Sequence, residues 1–245
     1  MPVEPRHSIQ TIVLNDTRVD QHHGCTRVME AIDSLLSATG CQVTARAPSH
    51  TAWEERPDVL AASESARLLV VNGEGTIHHD RPAGLRLLRA GAWAKARGIP
   101  AVLVNAGLEA NSDAAMAMLA DFALVSVRDS RSAAAVKAAG GACRVVPDLS
   151  LYGVHRTGEQ TRRGMAFTDS VDRATTLRLD GARREAGAAW LPIQAAQPGG
   201  TGRWAFLREG IAKADLGNPA LAFGMLRARS AMYARSSRAP PAGTA

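Results

Sequence analysis

One stretch constrains the fold more than any other: residues 66–80, ARLLVVNGEGTIHHD. Positions 68–71 are apolar without a break. Such a run is too short for a helix and suits a strand buried on both faces, as in parallel sheets. It stops at Asn72-Gly73-Glu74-Gly75, where two glycines around one carboxylate allow a sharp turn. Open α/β sheets bind ligands at such carboxyl ends of strands. Thr76, His78, His79 and Asp80 then carry polar groups into the same crevice. A dinucleotide fingerprint would need Gly at position 78, and a phosphate loop would need a following Gly-Lys-Ser/Thr, so neither standard nucleotide motif is present.

The rest of the chain alternates around this strand. A strand at 11–14 ends at Asn15-Asp16-Thr17, and a polar loop leads to Gly24. Cys25, Val28, Met29, Ile32, Leu35 and Leu36 then repeat at helical spacing until Gly40 stops the helix. Strands are predicted at 42–45, 101–105, 122–127 and 143–146, with helices near 58–65, 84–97, around Met116 and Leu119, and at 131–139 behind Asp129 as N-cap. Six strands separated by helices predict an α/β fold with a doubly wound, parallel, Rossmann-like sheet, because parallel neighbours need crossovers. The expected organisation is a disordered start (1–10), the Rossmann-like domain (11–152), a linker (153–163), a smaller and incomplete α/β unit (164–235) and a disordered tail (236–245). Within the second unit, strands at 164–168 and 189–193 flank a helix at 173–186, and helical patterns follow at 204–214 and 219–235.

Composition narrows the function class. No run of 18 apolar residues and no secretory leader is present, which points to a cytoplasmic protein. Cys25, Cys41 and Cys143 are too widely spaced for a disulfide framework or a zinc knuckle. Asp20, His22, His23 and Cys25 match no ligand spacing, so no metal is expected. The net charge of +6 is concentrated at the end: residues 201–245 hold seven Arg or Lys against two Asp or Glu. Aromatics are only 4% and are not interleaved with basic residues, which argues against nucleic-acid binding. A basic tail suits peripheral contact with an anionic inner membrane surface better.

The order of motifs, strand-NGEGTIHHD, strand-SVRDSRSAAAVKAAG, strand-VVPDLSLY, then FTDSV and WLPI, resembles the polysaccharide pyruvyl transferase family over roughly residues 12–193. The resemblance implies a two-domain, GT-B-like architecture and transfer of pyruvate from phosphoenolpyruvate onto a hydroxyl pair of a nucleotide-linked or lipid-linked sugar. The product is a ketal, made for bacterial surface polysaccharide, with no cofactor beyond the donor substrate. It also implies that Gly73 and Gly75 form the family's glycine turn, Arg128 and Ser132 its Arg-Asp-x-x-Ser element, Asp148 the aspartate after the sixth strand, and Asn15 and Asp16 its first strand-to-helix loop. The chain departs from the family pattern at Gly202-Arg203-Trp204-Ala205, where the family has Gly-Arg-aromatic-His, and its C-terminal domain is short or truncated by comparison. All seven histidines lie at or before His155.

Ketal formation needs an acid for the enol carbon, a base for the attacking hydroxyl and fixed cations for the donor's anionic groups. Arg128 either forks such an anion or pairs with Asp129 or the sheet edge. His78 and His79, or His22 and His23, supply a group titrating near neutrality or are exposed loop residues. Glu74 and Asp148 are candidate bases, or a helix cap and a turn anchor. Asp169 and Ser170 line the opposite wall or cap the helix after them. Two other functions stay open: a GT-B-like glycosyltransferase using a nucleotide sugar, and a non-catalytic remnant or assembly subunit.

Overall fold

The computed structural model describes residues 8–153, 164–170 and 172–193. The proposed linker, the helical patterns at 204–214 and 219–235, both termini and the Gly202-Arg203-Trp204-Ala205 element lie outside or almost outside the described residues.

The chain runs β1 (Ile9–Asp16), α1 (His23–Ala38), β2 (Cys41–Pro48), α2 (Pro57–Ala62), β3 (Leu68–Asn72), α3 (Pro82–Lys95), β4 (Ala101–Ala106), α4 (Asp113–Ala117), β5 (Leu124–Val127), α5 (Ser130–Ala138) and β6 (Arg144–Val145). These strands form one parallel sheet in the order β2-β1-β3-β4-β5-β6. From β1 the chain adds β2 on one side, then crosses back to add β3 on the other. The sheet is therefore wound in both directions from β1, and the switch point lies between β1 and β3.

Strand periodicity explains why unbroken apolar runs are needed. In β1, Val13 turns to one face, with Val70 of β3 and Val28, Met29, Ile32 and Leu36 of α1. Ile12 and Leu14 turn to the other, with Leu69, Val71 and Leu103 of the sheet and Val59, Leu87, Leu88, Met116 and Val136 of the remaining helices. Each strand residue thus meets a helix layer whichever way it points. One helix on one face and four on the other is what right-handed crossovers produce when a chain reverses direction once.

The expected strands and helices are all present up to Asp148, with shifted ends. β1 and β2 are longer than predicted because their tips, Asp16 and Pro48, still pair beyond a register shift after Leu14. The helix around Met116 and Leu119 divides into α4 and a 3-10 turn, Met118–Asp121. β6 shrinks to two residues: it is the sheet edge, Val145 is 56% exposed, and Pro147 soon removes a donor.

A second, two-stranded parallel sheet joins β7 (Ala166–Phe167) to β8 (Ala189–Trp190) around α6 (Arg173–Glu185). Its strands are shorter than the sequence suggests. Asp172 caps α6 by accepting from the Thr175 N–H at 2.7 Å. Among the described residues no helix is long and apolar enough to cross a membrane.

Candidate functional site

The switch point is closed by reciprocal hydrogen bonds between asparagines. Asn15, at the end of β1, has a left-handed backbone (φ 64) and donates from Nδ2 to the Asn72 carbonyl at 2.7 Å and to Thr76 Oγ1 at 3.2 Å. Asn72, at the end of β3, donates back to the Asn15 carbonyl at 3.3 Å and to Glu74 Oε2 at 3.2 Å. The two strand ends are thereby locked together, and the Glu74 carboxylate is held at the crevice. Burial, with the nearby Glu74 carboxylate adding to it, pushes the Cys25 thiol up to about 12, so it stays protonated as a donor.

The two glycines of the turn have different jobs. A Cβ on Gly73 would lie 2.6 Å from the Ala106 Cβ and 2.8 Å from its Cα, so only glycine lets β3 leave the sheet this close to β4. Gly75 instead faces Arg128, whose Nη2 would be an ordinary 3.7 Å from an added Cβ. Gly107 packs against the same guanidinium, with Nε at 3.0 Å and Nη2 at 3.1 Å from its would-be Cβ. It also donates its N–H to the Glu74 carbonyl at 2.8 Å, tying the β4 loop to the β3 loop.

Arg128 therefore lies across a floor of backbone. Its Nη1 donates to Asp148 Oδ2 at 3.0 Å, and its side chain is 32% exposed. Among the described residues no acceptor meets Nε or Nη2, the edge of the fork suited to a carboxylate or phosphate. Asp148 also accepts from the Ser150 N–H at 2.9 Å, which caps the 3-10 turn Leu149–Leu151. Burial raises the Asp148 pKa, but the Ser150 hydrogen bonds and Arg128 outweigh it and hold the carboxyl below its ordinary value. An aspartate so held is a poor proton acceptor and a good anchor for a guanidinium. The partner offered by the sequence, Asp129, caps α5 instead by accepting from the Ser132 N–H at 2.7 Å.

A family model for polysaccharide pyruvyl transferases matches residues 29–176, more than half of the chain. The chain belongs to the polysaccharide pyruvyl transferase family. The matched segment holds the glycine turn, Arg128, Asp148 and Asp169, while Asn15, Asp16, His22 and His23 precede it. No curated protein matches the chain in a sequence search.

Two residues that the family pattern suggested for substrate are committed elsewhere. Ser132 is 1% exposed. Its Oγ donates to Asp129 Oδ2 at 3.0 Å and accepts from the Leu108 N–H at 2.9 Å, so it staples the β4 loop to α5 beneath the crevice. Ser132→Ala is expected to cost about 1–3 kcal/mol of stability by leaving the Leu108 N–H unpaired, while ligand affinity at Arg128 stays unchanged. Denaturant unfolding and ligand titration of the same variant check both halves. Asp16 is likewise buried among cations: Arg18 grips it, Arg46 lies 3.7 Å away, and both arginines continue to Asp33. Burial raises the Asp16 pKa, yet the Arg18 hydrogen bonds and the two positive charges lower it overall. Only Asn15 of that pair turns to the β3 loop.

The histidine pairs do not join through any hydrogen bond or ring contact among the described residues. His78 and His79 meet each other, Nδ1 to Nδ1 at 3.0 Å with rings edge to face. One of these nitrogens must carry a hydrogen and the other a lone pair, so the pair holds one shared proton position. His79 and Asp80 have left-handed backbones, and the loop is pinned by the His79 N–H to the Glu109 carbonyl at 2.9 Å. His22 is the N-cap of α1, its Nδ1 accepting from the Gly24 N–H at 3.0 Å. His23, exposed, donates its N–H to the Ile193 carbonyl at 3.0 Å. Ile193 in turn donates its N–H to Asp169, so the carboxyl ends of the small sheet meet the first turn of α1. Ser170 accepts from the Asp172 N–H at 3.2 Å and supports the α6 cap without making it. Among the described residues no three His, Cys, Asp or Glu gather closely enough to hold a metal.

The sequence reading missed Asn72 and Gly107 as members of the crevice. Asn72 was visible as the polar end of an apolar strand. Gly107 carried a weaker signal, a glycine two residues beyond the Asn105 that ends a buried run.

Proposed function

We propose that this family member transfers pyruvate from phosphoenolpyruvate onto two neighbouring hydroxyls of a nucleotide-linked or lipid-linked sugar, in the cytoplasm and during surface polysaccharide assembly. The observation that carries this reading is the Arg128 fork, anchored on one side by Asp148 and open on the other, over the Gly75 and Gly107 backbone. A donor with both a carboxylate and a phosphate matches that planar pair of N–H groups.

In this reaction both hydroxyl oxygens bond to the central carbon of the donor. The methylene carbon gains one proton and becomes methyl, and phosphate leaves with the other. Glu74, held by Asn72 at the switch point, is the base proposed for the attacking hydroxyl. The His78–His79 pair, with its single shared proton position, is the acid proposed for the methylene carbon. Arg128 would stabilise charge on the departing phosphate.

The test is release of inorganic phosphate from phosphoenolpyruvate by the purified protein given lipid-linked or nucleotide-linked sugars. Acceptor-dependent release supports the reading. Phosphate that never appears, together with turnover of a nucleotide sugar, would replace it with the glycosyltransferase reading. That alternative is favoured by the switch-point crevice, a place where α/β sheets also hold nucleotides, and by Ala205 at the position of the family's histidine.

A further inference from the structure

We propose that Asn105 is a positioning residue for Arg128: its amide oxygen fastens Leu149 to the sheet, which fixes Asp148, which aims the guanidinium. The proposal rests on the reading of Arg128 as the group that receives the donor's anion.

Asn105 sits at the carboxyl end of β4 with a left-handed backbone (φ 56) and is 2% exposed. Asparagine, aspartate and glycine are the residues that tolerate such a backbone at low cost. Its Oδ1 accepts from the Leu149 N–H at 3.0 Å, a contact spanning 44 residues of chain. Leu149 directly follows Asp148, whose two oxygens are divided between the Ser150 N–H at 2.9 Å and Arg128 Nη1 at 3.0 Å. The turn carrying Asp148 is thus tied to the sheet at its first residue.

The side-chain bonds that reach this turn from α1 are longer and exposed. Arg27 of α1 reaches the Ser150 carbonyl at 3.3 Å and the Tyr152 carbonyl at 3.2 Å, both at the surface. Asn105 makes a shorter, part-buried one. Its Nδ2 has no partner among the described residues, so the bond its Oδ1 accepts from Leu149 is the side-chain hydrogen bond that Asn105 makes among them.

Without Asn105 Oδ1 the Leu149 N–H loses its partner and the turn can slide along the short β6 edge. Asp148 then no longer presents Oδ2 at one place, and Arg128 becomes one rotamer among several.

Asn105→Gly keeps the backbone conformation and removes the oxygen. Carbon-13 NMR of the Asp148 carboxyl is expected to show its titration moving up toward the ordinary carboxylate value in this variant. The dissociation constant for phosphoenolpyruvate is expected to rise ~5- to ~20-fold, the range for coupling through one intervening group. In an Asp148→Asn background the same glycine substitution should add less than about twofold, because the link it breaks is already gone. An unmoved Asp148 titration, or an additive effect in the double variant, overturns the proposal. Amide exchange of wild-type Leu149 gives a second check that needs no variant: slow exchange supports the tie, and exchange as fast as a free amide refutes it. If the Asp148 titration moves but the wild type binds no phosphoenolpyruvate, the donor-site reading of Arg128 fails while the positioning link stands.

Discussion

Arg128→Ala is expected to weaken phosphoenolpyruvate binding by ~30- to ~1000-fold, the equivalent of about 2–4 kcal/mol for one preorganised charged clamp. The guanidinium rests on the Gly75 and Gly107 backbone with Nη1 already satisfied by Asp148. Nothing therefore has to reorganise when an anion arrives at Nε and Nη2. Arg128→Lys is expected to recover only part of the affinity, since an ammonium offers a point charge where the fork offers two parallel N–H groups. Isothermal titration of the three proteins gives the ratio directly. An alanine variant that binds within threefold of wild type removes Arg128 from the donor site.

Gly73→Ala is expected to lower stability by about 1–3 kcal/mol, the usual cost of overpacking, and melting by roughly 2–12 °C in a chain of this size. The added methyl would stand 2.6 Å from the Ala106 Cβ, 2.8 Å from its Cα and 3.3 Å from Leu103 Cδ1. All three atoms belong to β4 itself, so relief requires moving β3 away from β4 or shifting the turn that carries Glu74. Gly75→Ala is the control. Its methyl meets only the Arg128 Nη2 at 3.7 Å and its backbone is not left-handed, so the fold should tolerate it. A thermal melt that ranks the two variants equally would refute this division of roles.

The sheet was legible because burial on both faces writes itself into short unbroken apolar runs such as those before Asn72 and Asn105. Helix starts were legible where a cap is local, as with Asp129 before α5. Strand ends were less so, since the pairing of Asp16 with Pro48 depends on a neighbour distant in sequence. The site was legible where backbone geometry demands glycine, at Gly73, and where a cation ends a strand, at Arg128. It was illegible where a side chain chooses among distant partners. Asp16 is claimed by Arg46 as well as nearby Arg18, Arg128 takes Asp148 in preference to adjacent Asp129, and Ser132 turns inward to the Leu108 N–H. Register and helix rotation decide those contacts, and hydrophobic periodicity fixes neither to one residue.

The most direct measurement is a thermal melt of the purified wild-type protein with phosphoenolpyruvate, beside uridine and guanosine diphosphates. A ligand at about a hundred times its dissociation constant adds about 2.7 kcal/mol to the folded state, which a melt resolves easily. Stabilisation by phosphoenolpyruvate that Arg128→Ala abolishes is the result predicted for a pyruvyltransferase donor site. Stabilisation by a nucleoside diphosphate alone, or by none of the three, would contradict it.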